Sequence, residues 1–203
     1  MILYGASGHG KVIAEILAAN NIVDIEFWDD NPESKIWNIE ISKPVFANTP
    51  QNKYMIISIG NNYIRKTIAD KTSPYFNYAD AIHPRSVVSS RAAVSPGSVI
   101  MAGAVVNTDV ILGVHTIVNS SAVIEHDCIL ADFVHISPNA ALAGDVQIGE
   151  GTHIGIGACV IQGITVGKWA TIGAGAVIIE NVPDYAVVVG NPGRIIKYNP
   201  TRS

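Results

Sequence analysis

Residues 117–134 read IVNSSA, VIEHDC and ILADFV, three units of six residues that each carry an aliphatic side chain at the second position. That position is aliphatic in seventeen consecutive units from Ala81 to Val182, without an insertion or a deletion. A period of six matches neither a helical turn of 3.6 residues nor the alternation of a simple strand, and it is typical of a parallel β-helix. The sequence therefore predicts a triangular prism with three units per coil, in which residue n stacks on residue n+18 at about 4.8 Å.

The first eighty residues have a different pattern, in which strands and helices alternate. Residues 1–4 are apolar and strand-like, residues 5–10 (GASGHG) form a glycine-rich loop, and residues 11–20 have helical spacing. Further strands are predicted over residues 25–28 and 54–59, and a second helix over residues 63–70. This order is that of a small α/β, Rossmann-like βαβαβ domain.

The chain is therefore predicted to have two domains, divided near residue 80. Residues 1–80 form the Rossmann-like domain, and residues 81–203 form the β-helix with a C-terminal tail.

The glycine-rich loop is a candidate phosphate site, because backbone N–H groups at a helix N-terminus can face an anion. Asp29 and Asp30 end the second predicted strand about twenty residues further on, where a carboxylate can meet a ribose hydroxyl or a base edge. The spacing GxxGxG differs from the dinucleotide pattern, so a mononucleotide or a nucleotide sugar is favoured over NAD. In the alternative reading, the glycines serve only a tight turn and the aspartates lie in a solvated loop.

Composition narrows the class of protein. The chain is 48% hydrophobic with 15% charged residues, as a prism with one continuous core requires, and its formal net charge of −4 gives no support to nucleic-acid binding. No apolar run is long enough to span a membrane and no export signal is evident, so a cytoplasmic protein is predicted. Cys128 and Cys159 have no metal-like spacing and are interpreted as ordinary core or corner residues.

Glu125, His126 and Asp127 form the densest cluster of titratable side chains. The repeat places His126 between Thr108 and Gly144, beside open space. An imidazole is a suitable general base at neutral pH, and a neighbouring carboxylate fixes its tautomer and raises its basicity. A solvated surface run is the alternative. His135 is predicted to stack on His153, and because the histidines include no close pair in sequence, a zinc site is not expected.

Five segments carry a resemblance to a known family: YGASGHG at 4–10, the pair Asp29-Asp30, IGNN at 59–62, NSSAVIEH at 119–126 and VGNP at 189–192. With them the chain resembles the left-handed β-helix (hexapeptide-repeat) sugar O/N-acyltransferases, in the branch with an N-terminal nucleotide-sugar-binding domain. The resemblance covers almost the whole length.

That resemblance implies a homotrimer that holds acetyl-CoA, its co-substrate, between neighbouring β-helices. The implied reaction is N-acetylation of the C4 amine of a UDP-4-amino-4,6-dideoxy-N-acetyl sugar, giving UDP-N,N'-diacetylbacillosamine or a similar product. Alternatives are O-acetylation of a sialic acid, N-acetylation of a GDP-perosamine-type sugar, and two other classes: a non-catalytic nucleotide-sugar-binding trimer and a trimeric metalloenzyme.

The resemblance also implies roles for individual residues. His126 is the expected general base, supported by Asp127 where relatives carry glutamate, and the amine is expected to attack the thioester directly. The nucleotide-sugar contacts are expected at Ser7, Gly8, His9, Asp29, Asp30 and Gly60. The acetyl-CoA contacts are expected at His135, Gly144, Ile156 and Ala174, with the backbone N–H of Gly144 as a donor to the oxyanion. No metal is expected.

Overall fold

The N-terminal part of the chain is a parallel sheet of five strands with two helices. The computed structural model describes residues 1–31, 33, 36–37, 39–46 and 53–201. Its first elements are β1 (Ile2–Tyr4), α1 (Gly8–Ala19), β2 (Glu26–Trp28), β3 (Ile41–Ser42), β4 (Tyr54–Ile57), α2 (Asn62–Thr72) and β5 (Asn77–Tyr78). The strand order is β3-β2-β1-β4-β5, so β1 and β4 are neighbours and their carboxyl ends meet at one edge of the sheet.

The three strands and two helices predicted here are confirmed, with shifted ends. Helix α1 begins at Gly8 rather than residue 11, so the glycine-rich loop runs directly into its first turn. Gly10 is buried, and a Cβ there would collide with the carbonyl oxygen of Gly5, which explains the glycine at this position. Strands β3 and β5 were not predicted, because each has only two residues.

From Ala81 onward the chain is a prism of two-residue strands in three parallel sheets, here called faces 1, 2 and 3. Face 1 consists of β6 (Ala81–Ile82), β9 (Val99–Ile100), β12 (Ile117–Val118), β15 (His135–Ile136), β18 (His153–Ile154) and β21 (Thr171–Ile172). Face 2 consists of β7 (Val87–Val88), β10 (Val105–Val106), β13 (Val123–Ile124), β16 (Ala141–Leu142), β19 (Cys159–Val160) and β22 (Val177–Ile178). Face 3 consists of β8 (Ala93–Val94), β11 (Ile111–Leu112), β14 (Ile129–Leu130), β17 (Gln147–Ile148) and β20 (Thr165–Val166).

The six-residue units match these strands throughout, which confirms the predicted register. Partners in neighbouring coils are eighteen residues apart, as in Val123 with Ala141 and His135 with His153. The second residue of each unit points into one continuous core, where Val118, Ile124 and Leu130 are buried. The sixth residue is small or β-branched and lies at the corner. The fifth residue turns the corner, and in most coils it has the left-handed backbone that glycine, asparagine and aspartate tolerate best.

The two parts of the chain meet on face 1. Val99 and Ile117, outward-facing residues of β9 and β12 in the N-terminal coils of the prism, are buried in a cluster with Ile13 and Ile16 of α1. At the other end of the prism, β23 (Ala186–Val189) extends face 1 in parallel and β24 (Arg194–Tyr198) pairs antiparallel with β23. Face 1 is therefore bounded by the N-terminal sheet at one end and by this hairpin at the other.

Candidate active site

His126 and Asp127 form a hydrogen-bonded pair at the corner between faces 2 and 3. Asp127 has a left-handed backbone, with φ of 63°, and this turn brings its carboxylate beside the preceding imidazole. The two side chains are 2.7 Å apart, from Nδ1 of His126 to Oδ2 of Asp127. Because a carboxylate only accepts, Nδ1–H is the donor, and Nε2 carries the free lone pair of the neutral ring. Nε2 is thus available to take a proton.

The surroundings of His126 suit a base. Its hydrogen bond to Asp127 raises the pKa above the ordinary histidine value, and the charges of Glu125 and Asp145 act in the same direction. The side chain is 58% exposed, so a substrate can reach the ring. The ring lies against Gly144, as the repeat predicts, and a Cβ on that glycine would be 2.6 Å from Cε1 of His126.

Gly144 offers a hydrogen-bond donor at the same corner. Its carbonyl accepts from the N–H of Gly163 at 3.0 Å, whereas its own N–H has no acceptor within the described part of the chain. A free backbone N–H beside a base is suited to stabilise an oxyanion. The corner therefore holds both groups that acyl transfer to an amine needs.

The residues expected to bind the nucleotide sugar lie at the carboxyl edge of the N-terminal sheet. Asp29 accepts hydrogen bonds from the N–H of Ala6 at 2.7 Å and of Asn31 at 2.8 Å, so this carboxylate orders the glycine-rich loop. Asp30 is exposed, and its Oδ2 accepts from the hydroxyl of Tyr4 at 3.0 Å.

Ser7, the N-cap residue of α1, and Gly8, its first residue, are exposed, and the space around the α-carbon of Gly8 is open. His9 follows them, and burial together with the charge of Arg65 lowers its pKa to about 4, so its ring is neutral. Nε2 of His9 is buried and has no hydrogen-bond partner among the described residues. The loop therefore presents both open space and an unpaired polar atom.

Gly60 and His135 join the N-terminal sheet to face 1. Nδ1 of His135 lies 3.1 Å from the carbonyl oxygen of Gly60, which can only accept, so the ring is the Nδ1–H tautomer and its Nε2 accepts from Asn119 at 3.2 Å. Burial, helped by the neighbouring His153 and Arg65, lowers the pKa of His135 to about 3. The ring stacks on His153 with centroids 4.9 Å apart, as predicted.

A cleft of about 810 Å³ continues from Gly60 along face 1. Its floor is formed by His135, His153 and Thr171, which follow one another in successive coils. Its two walls are the first turns of α2 and the C-terminal residues around Tyr185 and Asn199. The cleft therefore begins at Gly60, one of the residues expected to contact the nucleotide sugar.

Comparisons with known proteins identify the fold and the family of the chain. Residues 1–72 match the PglD N-terminal domain. The acetyltransferase domain of PglB from Neisseria gonorrhoeae FA1090 superposes with a TM-score of 0.91 at 40% identity, over 96% of this chain and 98% of that one. The chain belongs to the hexapeptide-repeat acetyltransferases. Its prism is their left-handed parallel β-helix.

Other relatives point to the same family. A second structure of the Neisseria domain holds acetyl coenzyme A. PerB from Caulobacter crescentus, solved with CoA and GDP-perosamine, is 32% identical over 97% of this chain and 96% of that one, with a TM-score of 0.90. A UDP-N-acetylbacillosamine N-acetyltransferase of Bacillus subtilis (strain 168) is 36% identical, and the match spans 49% of this chain and only 50% of that relative.

Within one chain the predicted site residues fall in separate places. The corner that carries His126 and Gly144 lies opposite face 1 in the triangular prism, because it joins the other two faces. His135 lies on face 1, and Ile156 and Ala174 follow one another at the corner between faces 1 and 2. Ile156 is 53% exposed. The expected acetyl-CoA contacts therefore do not converge within a single chain.

Sequence reasoning missed two side chains that contact predicted site residues. Asn119, which fixes Nε2 of His135, was noted only as part of a longer motif, and Arg65, which is buried beside Gly60, was noted only as part of a predicted helix. The repeat offered a signal for Asn119, since it precedes His135 by 16 residues and so lies near it in the next coil. Nothing in the sequence pattern singles out Arg65 from the exposed polar residues of α2.

Three negative findings complete the description of the residues that the structure covers. No helix among them is long and apolar enough to cross a membrane. In the same ranges, no group of three or more histidine, cysteine, aspartate or glutamate side chains is arranged to hold a metal ion. Cys128 is buried in the core and Cys159 is exposed, and neither is in a disulfide.

Proposed function

We propose that this chain transfers the acetyl group of acetyl-CoA to the C4 amine of a UDP-linked 4-amino-4,6-dideoxy-N-acetyl sugar, giving UDP-N,N'-diacetylbacillosamine or a similar product. The observation that carries the proposal is the His126–Asp127 pair, exposed beside a glycine with a free N–H. The Bacillus subtilis relative, named for this reaction, and the acetyl coenzyme A complex of the Neisseria domain support it.

In this mechanism the neutral sugar amine attacks the thioester carbonyl directly. As the C–N bond forms, Nε2 of His126 takes a proton from the nitrogen, and Asp127 stabilises the imidazolium through its hydrogen bond to Nδ1. The carbonyl oxygen becomes an oxyanion that the N–H of Gly144 stabilises. Collapse of the tetrahedral intermediate breaks the C–S bond, and the CoA sulfur leaves with the proton that His126 held. No covalent enzyme intermediate is needed.

The proposed catalytic unit is a homotrimer. A single chain holds its nucleotide-sugar residues beside face 1 and its base at the opposite corner, so the amine reaches the base of a neighbouring copy. Apolar side chains that face outward near that corner, including Val87 (65% exposed), Ile111 (48%) and Ile129 (44%), support burial against such a neighbour. Acetyl-CoA then lies between Gly144 of one copy and Ile156 and Ala174 of the next.

A GDP-linked 4-amino sugar is the second candidate acceptor. The relative from Caulobacter crescentus, which binds GDP-perosamine, is similar over nearly the whole length of both chains. Both candidates react through the same chemistry at the amine. They differ in the nucleotide base, uracil or guanine, that the N-terminal residues would contact.

The proposal is tested by release of free thiol from acetyl-CoA with UDP-4-amino-4,6-dideoxy-N-acetylglucosamine or GDP-perosamine as acceptor. Release with the UDP sugar, a product heavier by one acetyl group, and a loss of roughly 10²–10⁴-fold in His126→Ala are expected. If thiol is released only with the GDP sugar, the proposed acceptor is wrong and the GDP-linked sugar takes its place. No release with either acceptor, or full activity of His126→Ala, would refute the proposal.

A further inference from the structure

The first turn of α2 presents two polar side chains to the prism. Asn62 and Arg65 are three residues apart, so they lie on one face of the helix, and they are only 8% and 1% exposed. Nη2 of Arg65 donates to Oδ1 of Asn62 at 2.9 Å, which joins the two side chains into one unit. Buried polar groups of this size are unusual in a contact between two parts of a chain, and they need partners.

All five N–H groups of the Arg65 guanidinium have an oxygen partner. Besides Asn62, Nε donates to the carbonyl of His115 at 2.9 Å and Nη2 to that of Phe133 at 2.8 Å. Nη1 donates to the carbonyls of Ile59 at 2.9 Å and Gly60 at 3.3 Å. The guanidinium therefore ties the loop after β4 to the prism, a task that the three N–H groups of lysine cannot reproduce.

The partners on the prism form a ladder of backbone carbonyls. Nδ2 of Asn62 donates to the carbonyls of Gly151 at 3.0 Å and Thr152 at 3.2 Å. His115, Phe133 and Gly151 are eighteen residues apart, at the fifth position of successive coils, and each has a left-handed backbone with φ between 55° and 66°. Asn62 and Arg65 thus donate hydrogen bonds to three consecutive coils at the corner between faces 3 and 1. We call these two residues the clamp.

The guanidinium of Arg65 is a buried positive charge without a carboxylate partner in the described part of the chain. No carboxylate forms a salt bridge with it in the part of the chain that the structure describes, so only carbonyl and amide dipoles stabilise the buried cation. Burial lowers its pKa to about 9. Burying an unpaired charge is costly, and an apolar contact would hold the two parts together at a lower cost. We therefore assign to these hydrogen bonds the task of fixing the orientation of the two parts of the chain, more than that of strengthening their association.

The clamp also reaches both halves of the proposed site. The carbonyl of Gly60, an expected sugar contact, accepts from Nη1 of Arg65 and from Nδ1 of His135, an expected acetyl-CoA contact. A shift of α2 along the ladder would move Gly60 relative to His135, which belongs to the prism, and would break the hydrogen bond between them.

We propose that Asn62 and Arg65 are positioning residues for acetyl transfer, which fix the N-terminal sheet on the prism so that the bound sugar amine is held at attack distance from the neighbouring base. This inference rests on the proposed function. It assigns the clamp to placement rather than to affinity, because the clamp contacts backbone carbonyls of the protein. Apart from Gly60, the residues expected to touch the nucleotide form no hydrogen bond with it in the described part of the chain.

The test compares Arg65→Lys, Asn62→Ala and the control Arg85→Met, which removes an exposed arginine from the first coil. In the two clamp variants we expect kcat to fall by about 10²-fold, the effect of a displacement near 1 Å, while the dissociation constants of UDP and of CoA each change by less than about threefold. The amide of Arg65, which donates to the carbonyl of Asn61 at 2.9 Å, and the amides that follow it in α2 should exchange hydrogen at least about tenfold faster than in the control. The double variant should be little worse than either single one, because the two side chains share a hydrogen bond.

A kcat within threefold of wild type in both clamp variants would overturn the proposal. So would a loss of UDP or CoA affinity as large as the loss of kcat, since the clamp would then serve binding or folding. A wild-type protein that acetylates no nucleotide sugar would refute the proposed function instead, and the hydrogen exchange of α2 from Arg65 onward would still decide whether the clamp holds this helix.

Discussion

Gly144→Ala is expected to displace the proposed base without disturbing the prism. The added Cβ would be 2.6 Å from Cε1 of His126, whereas carbon atoms approach to about 3.5 Å at best, so the ring must retreat by roughly 0.9 Å. The glycine has no left-handed backbone, so alanine fits its conformation. The imidazole is exposed and can swing outward, so we expect the melting temperature to stay within a few degrees of wild type.

A displacement of that size should lower kcat by about 10²-fold. Steady-state thiol release measures the loss, and Gln162→Ala, an exposed residue one coil further along the same corner, is the matched control. The double variant Gly144→Ala with His126→Ala should be no slower than His126→Ala alone, because the clash then has no partner. Wild-type kcat in Gly144→Ala would refute the assigned contact between this glycine and the base.

Three further predictions concern the base, the core and the buried histidines. Asp127→Asn keeps the left-handed turn but removes the carboxylate that raises the pKa of His126. The acid limb of the kcat–pH profile should therefore move to lower pH, and kcat should fall by up to about 10²-fold. An acid limb that does not move would contradict the pairing of His126 with Asp127. Leu142→Ala, in the core, should lower the free energy of unfolding by about 2–5 kcal/mol in a denaturant titration, against less than about 0.5 kcal/mol for the exposed Val23→Ala. Burial lowers the pKa of four histidines, His9, His115, His135 and His153, below the unfolded value near 6.5, so the stability that their neutral state contributes is complete above that pH and is lost as the pH falls toward 4. Calorimetry at pH 5 should show that unfolding takes up protons, up to about four from these side chains, whereas no uptake would contradict their neutral state.

The prism could be predicted in detail because its period is strict. One aliphatic residue in six, kept from Ala81 to Val182, fixed both the core and the partners of each residue in neighbouring coils. The neighbours of His126 followed from that arithmetic, and the stacking of His135 on His153 followed as well.

The arrangement of the site around the prism could not be predicted in the same way. The period gives neighbours along the axis, but it does not say which face the N-terminal sheet covers. That choice depends on side chains such as Arg65, which contact backbone carbonyls far away in sequence and leave no pattern of their own. The grouping of His135 with Gly144 was expected from the resemblance, and in one chain the two residues lie on opposite sides of the prism.

Active sites shared between neighbouring copies are tested most directly by mixing two inactive variants. His126→Ala lacks the base, and Asp29→Ala lacks the carboxylate that orders the glycine-rich loop. Unfolded together in equal amounts and refolded, they should recover about one quarter of wild-type thiol release, because one interface in four then combines the two intact halves. Activity that stays at the level of the separate variants would contradict a site built from two copies of the chain.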